Sequence, residues 1–175
     1  SDAQYFLHII SQLQFGKSDN LKYRIARRNA HQYAAALSTT LSNMNNEPQK
    51  YHAHLQEGFD LLKMNYSLLS YISALGAYRN KMTKLQQTTE FLTDFYPVAK
   101  KVLYTLENIE KLSPEIFTKL QNNIELSLKE ILWNEDQAKG DIAFALPYQQ
   151  LNLISQLLPQ LYHYFQHNQE KTVSQ

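Results

Sequence analysis

The chain has 175 residues, with 17 Lys and Arg against 16 Asp and Glu, a net charge of +1 and no cysteine. One domain of this length buries roughly two-thirds of its unfolded surface without needing a metal or a disulfide. The absence of cysteine excludes a disulfide framework and a thiol nucleophile, and the near-neutral charge provides no strong field to attract nucleic acid. With 4 Gly and 5 Pro, the composition favours long helices and predicts an all-α fold.

The first half of the chain predicts one short helix followed by two long ones. The short helix ends at Gly16, a residue suited to the left-handed position after a helix. A second helix is capped by Ser18 or Asp19 and ends at Asn45-Asn46-Glu47-Pro48. The third helix begins at once, because proline is tolerated in a first turn, and it runs to about Met82. The two long helices are therefore expected to form an antiparallel hairpin.

Apolar residues recur at three- and four-residue spacing in both long helices, which predicts the buried face of each. Glycines within the third helix, Gly58 and Gly76, indicate close approach of the two backbones. The predicted buried positions are, in the second helix, Tyr23, Ala26, Ala30, Tyr33, Leu37, Leu41 and Met44, and in the third, Leu55, Phe59, Leu62, Tyr66, Leu69 and Ser73.

Three more helices are predicted in the second half of the chain. The fourth begins at Thr88 or Thr89 and contains Pro97, which is expected to bend its axis. The fifth begins at Ser113-Pro114-Glu115, which combines a capping hydroxyl, a first-turn proline and an early acidic residue.

The stretch from Asn134 to Ala145 contains Gly140 and three acidic residues and is predicted to be an exposed loop. A last helix follows Pro147, and a polar tail is expected from about Asn168. Together these elements predict a single domain over residues 1–175, an up-and-down antiparallel bundle of about six helices with a long central hairpin.

Three arginines and a histidine recur on one side of the second helix. They are Arg24, Arg27, Arg28 and His31. On a helical wheel they fall within about 100° of one another and are centred about 120° from the predicted buried face. Because a guanidinium group binds carboxylate or phosphate through paired hydrogen bonds, this basic face suits an anionic ligand, a lipid headgroup or an acidic partner. The alternative is pairing with acidic residues of neighbouring helices, such as Glu57 or Asp60.

Charge is unevenly distributed along the chain. Residues 17–31 contain five basic side chains and one acidic side chain, for a net charge of +4, whereas residues 107–136 contain seven acidic and three basic side chains, for −4. Solvated helix faces are one explanation. The other is a match of the two regions within one molecule or between subunits.

Other candidate sites are weaker. Arg79 closes a long uncharged run that includes Tyr71, and the two side chains suit an aromatic acid, but Arg79 can equally cap a helix end and Tyr71 can be a core residue. His163 and His167 share a helix face without a third ligand, so we expect no metal site and no cofactor. No catalytic motif is present, and we expect no enzymatic activity.

The longest uncharged run, between Lys63 and Arg79, is shorter than the ~20 residues of a spanning helix. We therefore expect this chain not to cross a bilayer, and no signal peptide is visible.

A pattern of short motifs spread over the first half of the chain is similar to one known family. The motifs are Tyr23-Arg24-Ile25-Ala26-Arg27-Arg28-Asn29-Ala30-His31, Ala35-Ala36-Leu37-Ser38, Met44, Glu47-Pro48, Gly58-Phe59 and Tyr71-Ile72-Ser73-Ala74-Leu75-Gly76-Ala77-Tyr78-Arg79. They resemble the C-terminal part of YccS-type integral membrane proteins, in the fusaric-acid-resistance-like (FUSC) family, which is related to exporters of aromatic carboxylic acids. The resemblance is dense only between Tyr23 and Arg79.

The resemblance implies that the chain is a soluble fragment that follows a membrane region, on the cytoplasmic side of a bacterial inner membrane. It would support assembly or gating of an exporter without catalysis. Its partners would be its own transmembrane region, a homo-oligomer or an anionic lipid surface, and not nucleic acid. Residues from Tyr5 to Arg28 would lie nearest the bilayer, and their basic excess agrees with the positive-inside tendency. The alternative is a ligand-sensing domain that binds an aromatic carboxylate or another anion.

Overall fold

The computed structural model describes residues 2–15, 20–77, 89–138 and 142–173. These ranges form α1 (Asp2–Phe15), α2 (Asn20–Asn45), α3 (Pro48–Ala77), α4 (Thr89–Glu107), α5 (Pro114–Ala138) and α6 (Ile142–Val173). No strand occurs within the described ranges, so the prediction of an all-α bundle of six helices is confirmed.

Helices α2 and α3 form the predicted long hairpin. Only Asn46 and Glu47 separate them, and the amide of Glu47 donates a hydrogen bond of 3.1 Å to the carbonyl of Met44. Leu41 lies against Gly58, whereas Tyr23 lies near Gly76, so the residue number falls in α3 as it rises in α2. The two helices are therefore antiparallel along most of their length.

The six helices do not share contacts equally. Within the described residues, α2 packs against α1 and α3 alone, and α5 packs against α4 and α6 alone. Helix α3 packs along α6, where Glu57 pairs with Lys171 near the C-terminus of α6. Because α2 has only two neighbours among the described helices, one whole side of it faces away from them.

Buried apolar side chains form one main core and a smaller group near the hairpin turn. The main core contains side chains from all six helices. It includes Phe6, Ile72 and Leu151, each 0% exposed. The smaller group consists of Leu41, Leu55 and Leu62, which are buried outside the main core. The hairpin therefore reaches beyond the main core and carries its own apolar contacts there.

The predicted buried face of the hairpin is wrong at three aromatic positions. Tyr33 is 68% exposed, Tyr66 is 48% exposed and Phe59 is 39% exposed. In α2 the buried positions are Tyr23, Leu41 and three alanines. These alanines are Ala26, Ala30 and Ala34. Because small side chains occupy the interface, the helices approach closely and the larger rings remain on the flanks.

Two predicted boundaries in the second half of the chain are also wrong. The predicted loop at 134–145 is largely helical, because α5 continues to Ala138 and α6 begins at Ile142. The predicted polar tail is helical to Val173, where the side chains of Gln169 and Lys171 make hydrogen bonds to the Glu110 carbonyl and the Glu57 carboxylate. These contacts, absent from any local pattern, stabilise the end of α6.

The predicted start of the fifth helix is confirmed. The amide of Ile116 donates a hydrogen bond of 3.3 Å to the Ser113 hydroxyl, and the amide of Phe117 donates one of 2.9 Å to the Ser113 carbonyl. The Ser113 hydroxyl therefore satisfies one of the amide groups that a helix start leaves without partners, and its carbonyl accepts the first hydrogen bond of the helix.

Candidate functional site

The predicted basic face lies on the exposed side of α2. Arg24, Arg27, Arg28 and His31 are all exposed, and the opposite side of the helix buries Ala26 and Ala30. Because successive residues turn by about 100°, Arg28 points almost directly away from the alanines, whereas Arg27 lies beside the buried side. The four side chains therefore share one surface but do not share one direction.

Arg27 and His31 are the members of the basic face nearest to α1. The ring of His31 lies 6.3 Å from the ring of Tyr5, measured between centroids, and the positive charge of Arg27 is close enough to act on the Tyr5 hydroxyl. Tyr5 is 1% exposed, and its burial raises the pKa of the phenol. These two basic side chains thus cover an aromatic contact between helices.

Tyr5 joins three helices beneath the basic face. Its hydroxyl lies 3.1 Å from the Ser73 hydroxyl of α3, and its ring centroid lies 5.9 Å from that of Tyr23 in α2. A buried tyrosine is normally held by polar contacts of its hydroxyl and by ring packing, as here. The contacts of Tyr5 therefore fix the position of α2, and with it the position of the arginines.

The guanidinium groups of Arg24, Arg27 and Arg28 have no acidic partner in the described part of the chain. The alternative of pairing with Glu57 or Asp60 is wrong. Glu57 pairs with Lys171, and Asp60 accepts a hydrogen bond of 3.0 Å from Gln56. The antiparallel hairpin places Asp60 opposite the C-terminal half of α2, roughly 16 Å along the axis from Arg28 at about 1.5 Å per residue.

The acidic region does not neutralise the basic face either. Glu115, Glu125 and Glu130 lie on α5, and within the described residues α5 has no contact with α2. Helices α2 and α5 therefore do not bring the basic and the acidic region together within one molecule.

Two apolar side chains on the same side of α2 are missing from the sequence-based site. Leu21 is 64% exposed and Ile25 is 40% exposed. They line a shallow depression together with the four residues of the basic face. A helical wheel places both opposite Ala26 and Ala30, so their position was available from the sequence once the buried face was known.

The structure does not bring Tyr71 to the basic face. Tyr71 lies on α3, half-buried against the main core, and it does not line the depression around the arginines. Arg79 lies outside the described residues, so the binding of an aromatic acid by Arg79 and Tyr71 stays a prediction.

His163 and His167 stack on α6 with ring centroids 6.3 Å apart and planes 11° apart. Nε2 of His167 lies 4.0 Å from the Glu57 carboxylate, which already pairs with Lys171. Across the ranges that the structure describes, no three His, Cys, Asp or Glu side chains are grouped closely enough to hold a metal ion.

Comparison with known proteins relates the chain to segments of much longer bacterial proteins. It is 72% identical over 165 residues to an uncharacterised protein of Haemophilus influenzae, covering 94% of this chain and 23% of that protein. It is 41% identical over 85 residues to the uncharacterised protein ORF2 of Neisseria gonorrhoeae, covering 48% of this chain and 20% of the relative. The chain thus spans less than a quarter of each relative.

A third relative has a stated location. The chain is 30% identical over 161 residues to the inner membrane protein YccS of Escherichia coli, covering 92% of this chain and 21% of that protein. This chain is therefore similar to a segment of an inner membrane protein. No helix within the described residues is both long and apolar enough to span a bilayer. No family model and no solved structure matches the chain.

Proposed function

We propose that this chain is a non-catalytic, cytoplasmic helical domain of a bacterial inner-membrane exporter of the FUSC family, and that it supports assembly or gating. The similarity to YccS over 92% of the chain is the observation that carries the proposal. The basic excess near the N-terminus agrees with it, since cytoplasmic segments that adjoin membrane helices are enriched in Lys and Arg.

Reporter fusions test the location of the domain. In the full-length Haemophilus influenzae relative, green fluorescent protein or alkaline phosphatase is joined after the residue that matches Lys171. Fluorescence without phosphatase activity is expected, because the first reporter matures in the cytoplasm and the second in the periplasm. Phosphatase activity without fluorescence would overturn the cytoplasmic location.

Deletion of the domain tests its role. The full-length relative and a variant without the 165 residues matched to this chain are compared in cells challenged with fusaric acid or benzoic acid. We expect the deletion to abolish protection while the remaining protein stays in the membrane fraction, with a shift in its native molecular mass if the domain supports assembly. Full protection by the deleted protein would contradict a role in assembly or gating.

A second candidate function is an anion-sensing domain, and the three guanidinium groups that lack an acidic partner among the described residues favour it. The ligand of such a domain would be an aromatic carboxylate or another anion, and Tyr71 and Arg79 are the predicted contacts of an aromatic carboxylate. A depression near the start of α1 suits such a ligand less, since Asp2, Glu107 and Glu110 line it against Lys111 alone.

Thermal shift measurements separate this candidate from the first. Benzoate, fusaric acid and phosphate are added to the chain and to an R24A/R27A/R28A variant. A ligand at 100 times its dissociation constant adds roughly 2.7 kcal/mol of stability to the protein that binds it. A rise in melting temperature that the variant loses supports sensing at the basic face, and no rise with any of the three probes argues against it.

A further inference from the structure

We propose that the outward side of α2 docks on the surface of an anionic lipid bilayer. This outer face consists of Leu21, Arg24, Ile25 and Arg28. The proposal names a partner for the domain, and it rests on the proposed function only for the presence of a bilayer nearby.

The arrangement of the outer face is that of a helix at a membrane interface. With about 100° per residue, Leu21, Ile25 and Arg28 fall within about 60° of one another and lie opposite the buried alanines, with Arg24 beside them. An interfacial helix places apolar side chains at the boundary of the acyl chains and basic side chains among the phosphates. Leu21 and Ile25 supply the first group, and Arg24 and Arg28 supply the second.

The outer face is accessible because of the position of α2 in the bundle. Within the described residues, α2 packs against α1 and α3 alone, so its outward side is not covered by another described helix. Single exposed apolar residues are common on protein surfaces and need no explanation. Here two of them, 64% and 40% exposed, lie one turn apart and beside guanidinium groups that have no acidic partner in the described chain.

A bilayer fits this surface better than an acidic protein face or a nucleic acid. An acidic partner such as α5 of a second copy would satisfy the arginines, but Lys119 and Lys129 interrupt its charge. A nucleic acid would satisfy the arginines too, but the outer face carries no aromatic side chain on which bases could stack. A lipid surface uses the cationic and the apolar side chains together, the arginines at the phosphates and the apolar pair at the acyl boundary.

Vesicle co-sedimentation tests the charged component. The 175-residue chain is mixed with vesicles of phosphatidylethanolamine and phosphatidylglycerol at 3:1, and with vesicles of phosphatidylcholine alone. We expect binding to the anionic vesicles, weakened about tenfold in R24A/R28A, since each basic residue near an anionic surface contributes attraction. The matched control K119A/K129A removes the same charge from exposed positions of α5 and is expected to bind like the native chain.

A second pair of variants tests the apolar component. L21S/I25S is expected to weaken binding at every salt concentration, whereas R24A/R28A is expected to reduce the dependence on salt. The control I116S/L126S changes two exposed apolar residues of α5, which are 51% and 68% exposed, and is expected to have no effect. R27A is expected to matter less than R24A or R28A, because Arg27 lies toward Tyr5. Circular dichroism verifies that each variant is helical.

Several results would overturn the proposal. These are equal binding to neutral and anionic vesicles, equal losses in the α2 variants and the α5 controls, and a native chain that forms a dimer dissociated by R24A/R28A without binding vesicles. The reporter fusions of the full-length relative give a separate answer. Vesicle binding together with a periplasmic reporter would reject the proposed cytoplasmic location but leave the lipid-binding face intact.

Discussion

Gly58 of α3 lies directly beneath the side chain of Leu41 in α2, so that a methyl group at position 58 would overlap that side chain. Leu41 is 3% exposed, so the overlap would occur with a buried side chain. Glycine inside a helix costs about 1 kcal/mol relative to alanine. Glycine at position 58 therefore allows the two helices to pack closely, although it lowers the intrinsic stability of α3.

We expect the substitution Gly58→Ala to lower the free energy of unfolding by about 1 kcal/mol. Overpacking against Leu41 costs about 1–3 kcal/mol, and the better helix propensity of alanine offsets about 1 kcal/mol of that. Urea unfolding followed by circular dichroism measures the change.

The double variant L41A/G58A separates the two contributions. In the L41A background the overlap is removed, so adding G58A should raise the free energy of unfolding by about 1 kcal/mol. If G58A has the same effect in both backgrounds, Leu41 does not limit the space at position 58.

We expect the substitution Tyr162→Phe to cost about 1–2 kcal/mol of stability. The Tyr162 hydroxyl donates a buried hydrogen bond of 2.8 Å to the carbonyl of Leu112, and its loss leaves that carbonyl without this donor. The ring would still stack on Phe117, 4.0 Å away with the planes 5° apart. Tyr162→Leu should cost more, because it removes the stacking as well. Tyr66→Phe, at a 48% exposed position, is the control, and a cost equal to that of Tyr162→Phe would contradict the assignment.

The ion pair between Glu57 and Lys171 predicts a dependence of stability on acidic pH. The hydrogen bond from Lys171 holds the pKa of the Glu57 carboxyl below its ordinary value. The pair therefore contributes above the unfolded pKa of about 4.3, and the contribution is lost as the pH falls through the folded pKa. We expect Lys171→Met to raise the pKa of Glu57 and to reduce stability at neutral pH by less than about 1 kcal/mol.

Titration of the Glu57 carboxyl carbon by nuclear magnetic resonance measures this change. Lys63→Met removes an exposed lysine from α3 and serves as the control. An unchanged titration curve in Lys171→Met would show that the ion pair does not form in solution.

Tyr96 predicts a loss of stability at alkaline pH. The side chain is 3% exposed, and burial raises the pKa of its phenol well above the ordinary value. Above pH ~10 the unfolded chain releases this proton while the folded chain keeps it, so the free energy of unfolding falls by up to about 1.4 kcal/mol per pH unit. We expect Tyr96→Phe to reduce the slope of stability against pH between about 10 and 11. Tyr104→Phe, at a 51% exposed position, should leave more of that slope in place.

The helices of this fold were largely accessible from the sequence, but the buried face of the hairpin was not. Ser113 and the Asn46-Glu47 turn have local signals for helix ends, and the structure bears these out. Apolar spacing alone could not place Tyr33 outside the interface, because burial there depends on how closely two helices approach. That distance is set by alanine and glycine residues far apart in the chain.

The candidate site, too, could be predicted from the sequence only in part. The spacing of the arginines was sufficient to place them on one surface, since a single helix carries them. That they do not pair with Glu57 depends on the register of α2 against α3 and on the position of α6. No local sequence pattern records either of these. Leu21 and Ile25 were overlooked because exposed apolar residues become informative only when the buried side of their helix is known.

The peripheral place of α2 has a consequence for how the domain opens. Within the described residues this helix has two neighbours and buries Tyr23, Leu41 and three alanines, so its detachment would uncover less apolar area than the departure of a central helix such as α4. Amide hydrogens of α2 should accordingly exchange with deuterium before those of α4, in a partial unfolding step that leaves the remaining helices assembled. The surface that carries the arginines would then belong to the most readily released part of the bundle.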